Sequence, residues 1–173
     1  MMRRLARLRV PLGFACGGLA LWLARPTLTS VAVGISIALI GEALRVWAAG
    51  HIEKGREVTR SGPYRLVRHP LYLGSAIMGA GFMWAAQSLA VTLLVAVYLG
   101  LTLAAAMQTE ERTLTARFGD QYEAYRKGRA SHPESPGAAP VDRPFSWSRV
   151  AANREYRAVM GLLVMAVLLF LRV

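Results

Sequence analysis

Cysteine is almost missing from this chain of 173 residues, and acidic side chains are scarce. The single Cys16 excludes an intramolecular disulfide framework, and its apolar surroundings suit a small buried hydrophobe. Histidine occurs only at His51, His69 and His132, too widely spaced to make a closed zinc ligand set with one cysteine, so no metal is expected. No G-x-G-x-x-G segment is present, which removes the usual sequence support for a soluble dinucleotide-binding fold. The 10 Asp and Glu stand against 21 Lys and Arg, a net charge of +11. Such an excess can mark nucleic-acid binding, but here the basic residues fall in short segments between apolar runs. Anionic lipid headgroups, rather than nucleic acid, are the expected counter-charge.

What the chain has in quantity is apolar length. Hydrophobic residues make up 54% of it, and mean hydropathy is +0.35, values that belong to a bilayer protein rather than a soluble domain. The expected fold is all-α: a polytopic membrane protein with about five transmembrane helices plus a cytoplasmic amphipathic helix. Residues 1–50 form an N-terminal helical hairpin, 51–128 a core, 129–148 a loop and 149–173 a C-terminal helix, all within one membrane domain.

The first apolar run, 10–24, follows Arg3, Arg4, Arg7 and Arg9 and so imitates a signal peptide, but no A-x-A cleavage site follows. A first membrane helix is expected instead, lengthened at the interface by residues 5–9. Arg25-Pro26-Thr27 breaks the pattern, and Thr29 or Ser30 offers an N-cap for a second helix over about 28–50, which should pair tightly with the first. Glu42 and Arg45 lie three apart on it, so each can neutralise the other; they form either a self-satisfied pair near the interface or the lining of an interior cavity.

A third helix should begin at Pro70 and run to about Ala86, with Gly74, Gly79 and Gly81 giving a small-residue face that admits a neighbouring backbone. After a turn at Gln87-Ser88, a fourth helix runs to about Met107 and continues out of the membrane to about Lys127. On that extension Leu114, Phe118, Tyr122 and Tyr125 recur at steps of three and four, the pattern of one packed face. Residues 128–144 form a Pro/Gly/Ser/Ala loop. A final span, anchored by Trp147 and Tyr156, ends the chain. Its topology leaves only Arg25 and Arg172 on the outer side, which by the positive-inside rule puts the N-terminus and the segment 51–68 in the cytoplasm of an inner (cell) membrane.

The most unusual stretch is 61–74, SGPYRLVRHPLYLG. Gly62-Pro63 makes a turn; Arg65, Arg68 and His69 crowd positive charge against the free backbone N–H groups of the helix that Pro70 opens. That combination is suited to an anion. The segment resembles the signature of the isoprenylcysteine carboxyl methyltransferase family, which is itself similar to the membrane phospholipid methyltransferases. A second block, Glu110-Glu111 with Leu114, Phe118-Gly119, Tyr122 and Tyr125-Arg126, resembles that family's C-terminal motif. The likeness covers roughly 45–126, with a weaker echo at 153–156. The Pro-rich insertion at 131–144 departs from the pattern, and the chain is shorter than eukaryotic members with more spans.

The resemblance implies transfer of a methyl group from S-adenosyl-L-methionine to a lipophilic acceptor at the cytoplasmic membrane surface, foremost the carboxylate of a prenyl-cysteine-like molecule. It also implies a cofactor site built from Tyr64, Arg68, His69, Pro70, Leu71, Tyr72, Leu73, Glu110, Glu111 and Tyr122. Glu111 is assigned to the ribose hydroxyls and Glu110 to a neighbouring polar contact, though the two can be exchanged. Arg68, His51 and Glu155 are the candidate catalytic residues, the last two as a base if the acceptor is an amine. Arg45, Asn153 and Arg154 are candidate substrate contacts. Three other readings compete: amine methylation of a phospholipid, an NADPH-dependent reductase of the sterol type, and a basic membrane protein that only binds lipid or a partner helix.

Overall fold

A computed structural model of the chain describes residues 2–127 and 142–173, with side chains from residue 13 onward. The described residues hold helices and no strands, in the order α1 (Met2–Leu23), α2 (Leu28–Ala49), a 3-10 turn (Gly62–Arg65), α3 (Pro70–Ala86), α4 (Leu89–Arg126), α5 (Trp147–Ala152) and α6 (Tyr156–Phe170). Most of the expected loop at 128–144 and most of the insertion at 131–144, with His132 and the side chains of Arg3, Arg4, Arg7 and Arg9, lie outside the described residues.

Local chemistry sets the helix starts. Thr27, not Thr29 or Ser30, caps α2: Ser30 N donates to Thr27 Oγ1 at 3.1 Å and Thr27 N to Ser30 Oγ at 2.9 Å. Ser30 is thus the third residue of a capping box rather than the cap. Pro70 opens α3 as expected, and Gln87 closes it in the left-handed conformation, φ 46°. Ser88 then caps α4.

α2 and α4 are long and apolar enough to cross a bilayer; α6 and the 13–23 part of α1 are shorter apolar helices. Large apolar side chains such as Ile40, Leu93, Val97, Leu101, Leu163 and Val167 are exposed on their outer faces. A continuous apolar surface of this kind suits lipid, not water. The ends of α1, α3 and α6 meet the starts of α2 and α4 at one end of the bundle. There Arg25 N donates to Ala86 O at 2.8 Å, and Arg172 Nη2 donates to Trp22 O and Ala24 O at 3.0 and 3.1 Å.

The expected pairing of α1 with α2 is not what forms. α2 packs along α3, while α1 lies against α4 and touches α3. The reason is a seam of small residues. A Cβ on Gly34 would stand 2.4 Å from Gly81 O, and one on Gly41 would stand 2.6 Å from Gly74 O. Only glycine allows so close a backbone approach, and the resulting contact outcompetes the sequence-adjacent one. Gly79 faces elsewhere, toward Leu99 of α4.

Two further corrections concern the ends. α4 continues past the apolar run as expected, but bends at Gly119 (φ 44°, ψ −118°), which turns its last residues onto segment 58–64. The single C-terminal helix over 149–173 is two helices broken at 153–155, and the loop assigned to 129–148 ends before Trp147. At the break Asn153 Nδ2 donates to Ala49 O and Ile52 O at 3.0 and 3.1 Å, and Arg154 takes φ 59°. The side chain of Asn153 thereby satisfies carbonyls that the end of α2 leaves open. Arg143 and Arg149 fasten the same region to Glu53 and Glu57.

Candidate functional site

The site lies at the bundle end opposite Arg172, where three elements converge. Segment 58–69 crosses beneath α3, and the bend in α4 brings Tyr122 and Tyr125 onto it. The hydroxyl of Tyr125 donates to Tyr64 O at 2.9 Å. Val58, Tyr122 and Tyr125 form a small core with Leu114 and Phe118 packed against it. This cluster uses the periodicity seen in the sequence and fixes α4 over the start of α3.

Across that junction the two motif blocks touch. His69 Nε2 lies 3.1 Å from Glu111 Oε1, and Arg68 Nη1 lies 3.9 Å from the same oxygen. A carboxylate only accepts, so the imidazole must carry a proton on Nε2. The His69 ring also lies 5.7 Å from that of Tyr72. Arg68 is half exposed, with its cationic head available to a ligand. No side-chain hydrogen bond caps the N-terminus of α3, whose first residue is Pro70.

Beneath this surface sit two buried phenols. Tyr64 is 8% exposed and Tyr122 1% exposed, and neither hydroxyl has a hydrogen-bond partner among the described residues. Burial, and then the carboxylate of Glu110, pushes the Tyr64 hydroxyl well above the usual tyrosine range. Burial, and then Glu111, raises Tyr122 in the same way. Tyr125 is pushed up to about 12, first by burial and then by Tyr122. All three hydroxyls are therefore neutral donors near pH 7. Adjacent helical residues diverge by about 100°, and accordingly Glu111 meets His69 and Arg68 while Glu110 acts on Tyr64 and Tyr125.

A second charged cluster stands deeper. One nitrogen of Arg45, Nη2, donates to both oxygens of Glu155, at 2.7 and 3.0 Å; Nη1 donates to Ser75 Oγ at 2.5 Å and to Leu71 O at 3.3 Å. Glu155 is 4% exposed. Glu42 Oε2 is 3.7 Å from Arg45 Nε, but its buried oxygens have no hydrogen-bond partner among the described residues. The pairing expected between Glu42 and Arg45 is thus secondary, and Glu155, 110 positions away, is the principal partner. Sequence spacing carries no signal for that contact.

The structure therefore brings together Arg68, His69, Tyr72, Glu110, Glu111, Tyr64 and Tyr122, with Arg45 and Glu155 below them. Pro70 is fully buried, Leu71 contributes its carbonyl to Arg45, and Leu73 turns its side chain outward. Asn153 is committed to the end of α2, and Arg154 is exposed. His51 is buried apart from the Glu111 contact: Nδ1 lies 3.1 Å from Ser61 Oγ, and its ring meets Phe145 edge-on at 6.1 Å. Burial, then Arg149, lowers its pKa. Phe145 and Ser61 were not singled out in the sequence; they act here as supports. Among the described residues no group of three or more His, Cys, Asp or Glu can hold a metal ion.

A helical bundle whose loop-facing end joins an RHP turn to a Glu-Glu helix exit defines a class of membrane protein. The family described as phospholipid methyltransferase matches residues 27–121, more than half of the chain, and the chain belongs to that family. This is the family related to the isoprenylcysteine carboxyl methyltransferases that the motifs resemble. The chain is also similar to the cobalt-zinc-cadmium resistance protein CzcN of Cupriavidus metallidurans, 37% identical over 116 residues, which cover 65% of this chain and 51% of that protein. It is 31% identical over 101 residues to the nickel-cobalt-cadmium resistance protein NccN of Alcaligenes xylosoxydans xylosoxydans, covering 56% and 45% respectively. The chain thus spans about half the length of the curated relatives it matches. No solved structure matches it.

Proposed function

We propose that the chain is a membrane methyltransferase that uses S-adenosyl-L-methionine to methylate a lipophilic acceptor at the cytoplasmic surface of the cell membrane. The observation that carries this reading is the contact of His69 with Glu111, which unites the two motif blocks above two buried hydroxyls that lack hydrogen-bond partners among the described residues. The groups present fit the cofactor. Glu111 or Glu110 accepts from a ribose diol, Arg68 beside the N-terminus of α3 receives a carboxylate, and Tyr64 and Tyr122 gain a polar neighbour. When bound, the cofactor supplies an electrophilic methyl group on a sulfonium. The chain's own task is alignment and exclusion of water, since in-line displacement depends on near-attack geometry. Five passes across the bilayer, α1 to α4 and α6, put Arg25 and Arg172 outside and the basic segments 51–69 and 108–127 inside, in keeping with the positive-inside rule.

For the acceptor, the family resemblance favours a prenyl-cysteine-like carboxylate, with Arg45 as its anchor. One observation favours an amine headgroup instead. Arg45 is already bound by Glu155, and Glu42 leaves the cluster with two carboxylates for one guanidinium. A further carboxylate would have to displace Glu155 from that guanidinium, a cost that an amine headgroup does not meet.

The test uses protein in liposomes, methyl-labelled S-adenosylmethionine and two acceptors, an S-farnesyl thio-acid and phosphatidylethanolamine. Base-labile label in the thio-acid supports O-methylation, and base-stable label in the amine lipid supports N-methylation. Label in neither, and in no endogenous lipid, contradicts the proposal. The relatives' names supply one growth condition for that endogenous lipid, exposure to cobalt, zinc, cadmium or nickel.

A further inference from the structure

A continuous run of contacts leads from the loop after α2 to the candidate site. Residues 143–153 lie across that loop as a strap. Ser146 N and Arg149 Nε both donate to Gly50 O, at 3.1 and 2.7 Å, and Arg143 pairs with Glu53 at 3.0 Å and with Glu57 at 2.6 Å. The ring of Phe145 covers Gly50 so closely that a Cβ there would meet it at 2.2 Å. Asn153 ends the strap with its bonds to Ala49 O and Ile52 O. Two residues on, Glu155 stands at the start of α6 with its carboxylate turned inward, 4% exposed.

Both oxygens of Glu155 accept from Arg45 Nη2, while Nη1 of the same guanidinium reaches Ser75 Oγ and Leu71 O. Leu71 O also accepts from Ser75 Oγ at 2.9 Å. A guanidinium is planar and rigid, so the carboxylate that orients its Nη2 edge also aims Nη1. The stem of Arg45 crosses α3 at Gly74, where a Cβ would stand 2.6 Å from Arg45 Cγ. Glycine at that position lets the side chain pass from α2 to the first turn of α3. In that turn Leu73 N donates to His69 O at 3.0 Å, which ties the turn to the residue that meets Glu111.

Resting on the methyl-transfer reading, we infer that Glu155 is a positioning residue for the cofactor: it acts through Arg45 on the first turn of α3, and so on His69, and the strap at 143–153 sets where it stands. This role requires no contact between Glu155 and either the cofactor or the acceptor. Its two charge-assisted bonds fix the guanidinium in one orientation, and a neutral amide at the same place would hold it less firmly. In a site whose task is alignment, a small displacement of the binding turn is costly. A carboxylate that served the fold alone would affect stability and leave the turn unchanged once stability is restored.

The experiment measures S-adenosylhomocysteine affinity, thermal stability and hydrogen exchange of the backbone amides of 71–75 in the detergent-solubilised protein. The variants are Glu155→Gln, the double variant Glu155→Gln with Arg45→Met, and Asn153→Ala, which loosens the strap and keeps both charges of the pair. The double variant removes both charges and so regains stability, but leaves Leu71 O without the guanidinium. Affinity is expected to fall at least fivefold in Glu155→Gln and to stay low in the double variant, with exchange at 71–75 at least fivefold faster in both. Asn153→Ala is expected to move affinity and exchange in the same direction. Affinity that returns with stability in the double variant overturns the positioning role, as does exchange at 71–75 equal to that of the parent in a folded variant. Should Glu155→Gln not fold, the other two variants carry the test. A parent protein without affinity for S-adenosylhomocysteine removes the methyl-transfer reading; exchange at 71–75 then decides the positioning of the turn by itself, faster exchange in the variants supporting it and unchanged exchange overturning it.

Discussion

His69 Nε2 and Glu111 Oε1 lie 3.1 Å apart although 42 positions separate the residues, and this contact joins the start of α3 to the membrane exit of α4. Because one oxygen of Glu111 faces both His69 and Arg68, the three act as one unit. His69→Ala and Glu111→Gln should each weaken S-adenosylhomocysteine binding at least tenfold, with helical content and detergent stability retained. Residues in one hydrogen-bonded unit are non-additive, so the double variant should lose little more than the worse single one. Fully additive losses would show that the two act independently.

Arg45 and Glu155 form the buried ion pair that fastens the 153–155 break to α2. Removing one partner leaves the other's charge without compensation, a loss of about 3 kcal/mol or more. Glu155→Gln should therefore lower unfolding stability by about that much, and adding Arg45→Met should restore part of it. Stability measured in mixed micelles checks this; a Glu155→Gln protein as stable as the parent would show that Glu42 substitutes for Glu155 as the partner of Arg45.

The α2–α3 seam makes a steric prediction. Gly81→Leu, whose Cβ would meet Gly34 O at 2.4 Å, should prevent recovery of folded protein. Gly100→Ala on α4, where no atom lies within 4 Å, should be neutral or gain up to about 1 kcal/mol. Yield and thermal stability in detergent separate the two outcomes. Comparable behaviour of both variants would contradict the seam.

His51 gives the fold a pH dependence of definite sign. Its folded-state pKa is lowered from 6.5, chiefly by burial, so the unfolded chain takes up the proton first as pH falls. Its stabilising contribution is complete above about pH 6.5 and declines below it, down to the lowered value. Replacing His51 with Asn should flatten that part of the stability profile between pH 7.5 and 5. An unchanged slope would assign the acid sensitivity to other groups.

Much of this architecture is legible in the sequence because its signals are local. Pro70 sets the start of α3, apolar runs mark α2 and α4, and Leu114, Phe118, Tyr122 and Tyr125 announce the face that packs on Val58. Partnerships are less legible. Gly74 and Gly81 advertise a close contact without naming Gly41 and Gly34 as its other half, so adjacency in the chain suggested α1 as the partner of α2. The break at 153–155 carries no glycine or proline; Arg154 holds a positive φ because Asn153 is bound to carbonyls about 100 positions earlier. In the site, the motif residues were recognisable by type, but Glu155 as the partner of Arg45 and the burial of the Tyr64 and Tyr122 hydroxyls emerge only from the folded geometry.

The most direct measurement is calorimetric titration of the detergent-solubilised protein with S-adenosylhomocysteine, alongside NADPH. Saturable binding of the homocysteine nucleoside and none of NADPH is the result expected of a methyl-transfer site built on His69 and Glu111. Binding of NADPH alone would contradict it in favour of a reductase, and binding of neither by folded protein would contradict it in favour of a basic membrane protein without a catalytic site.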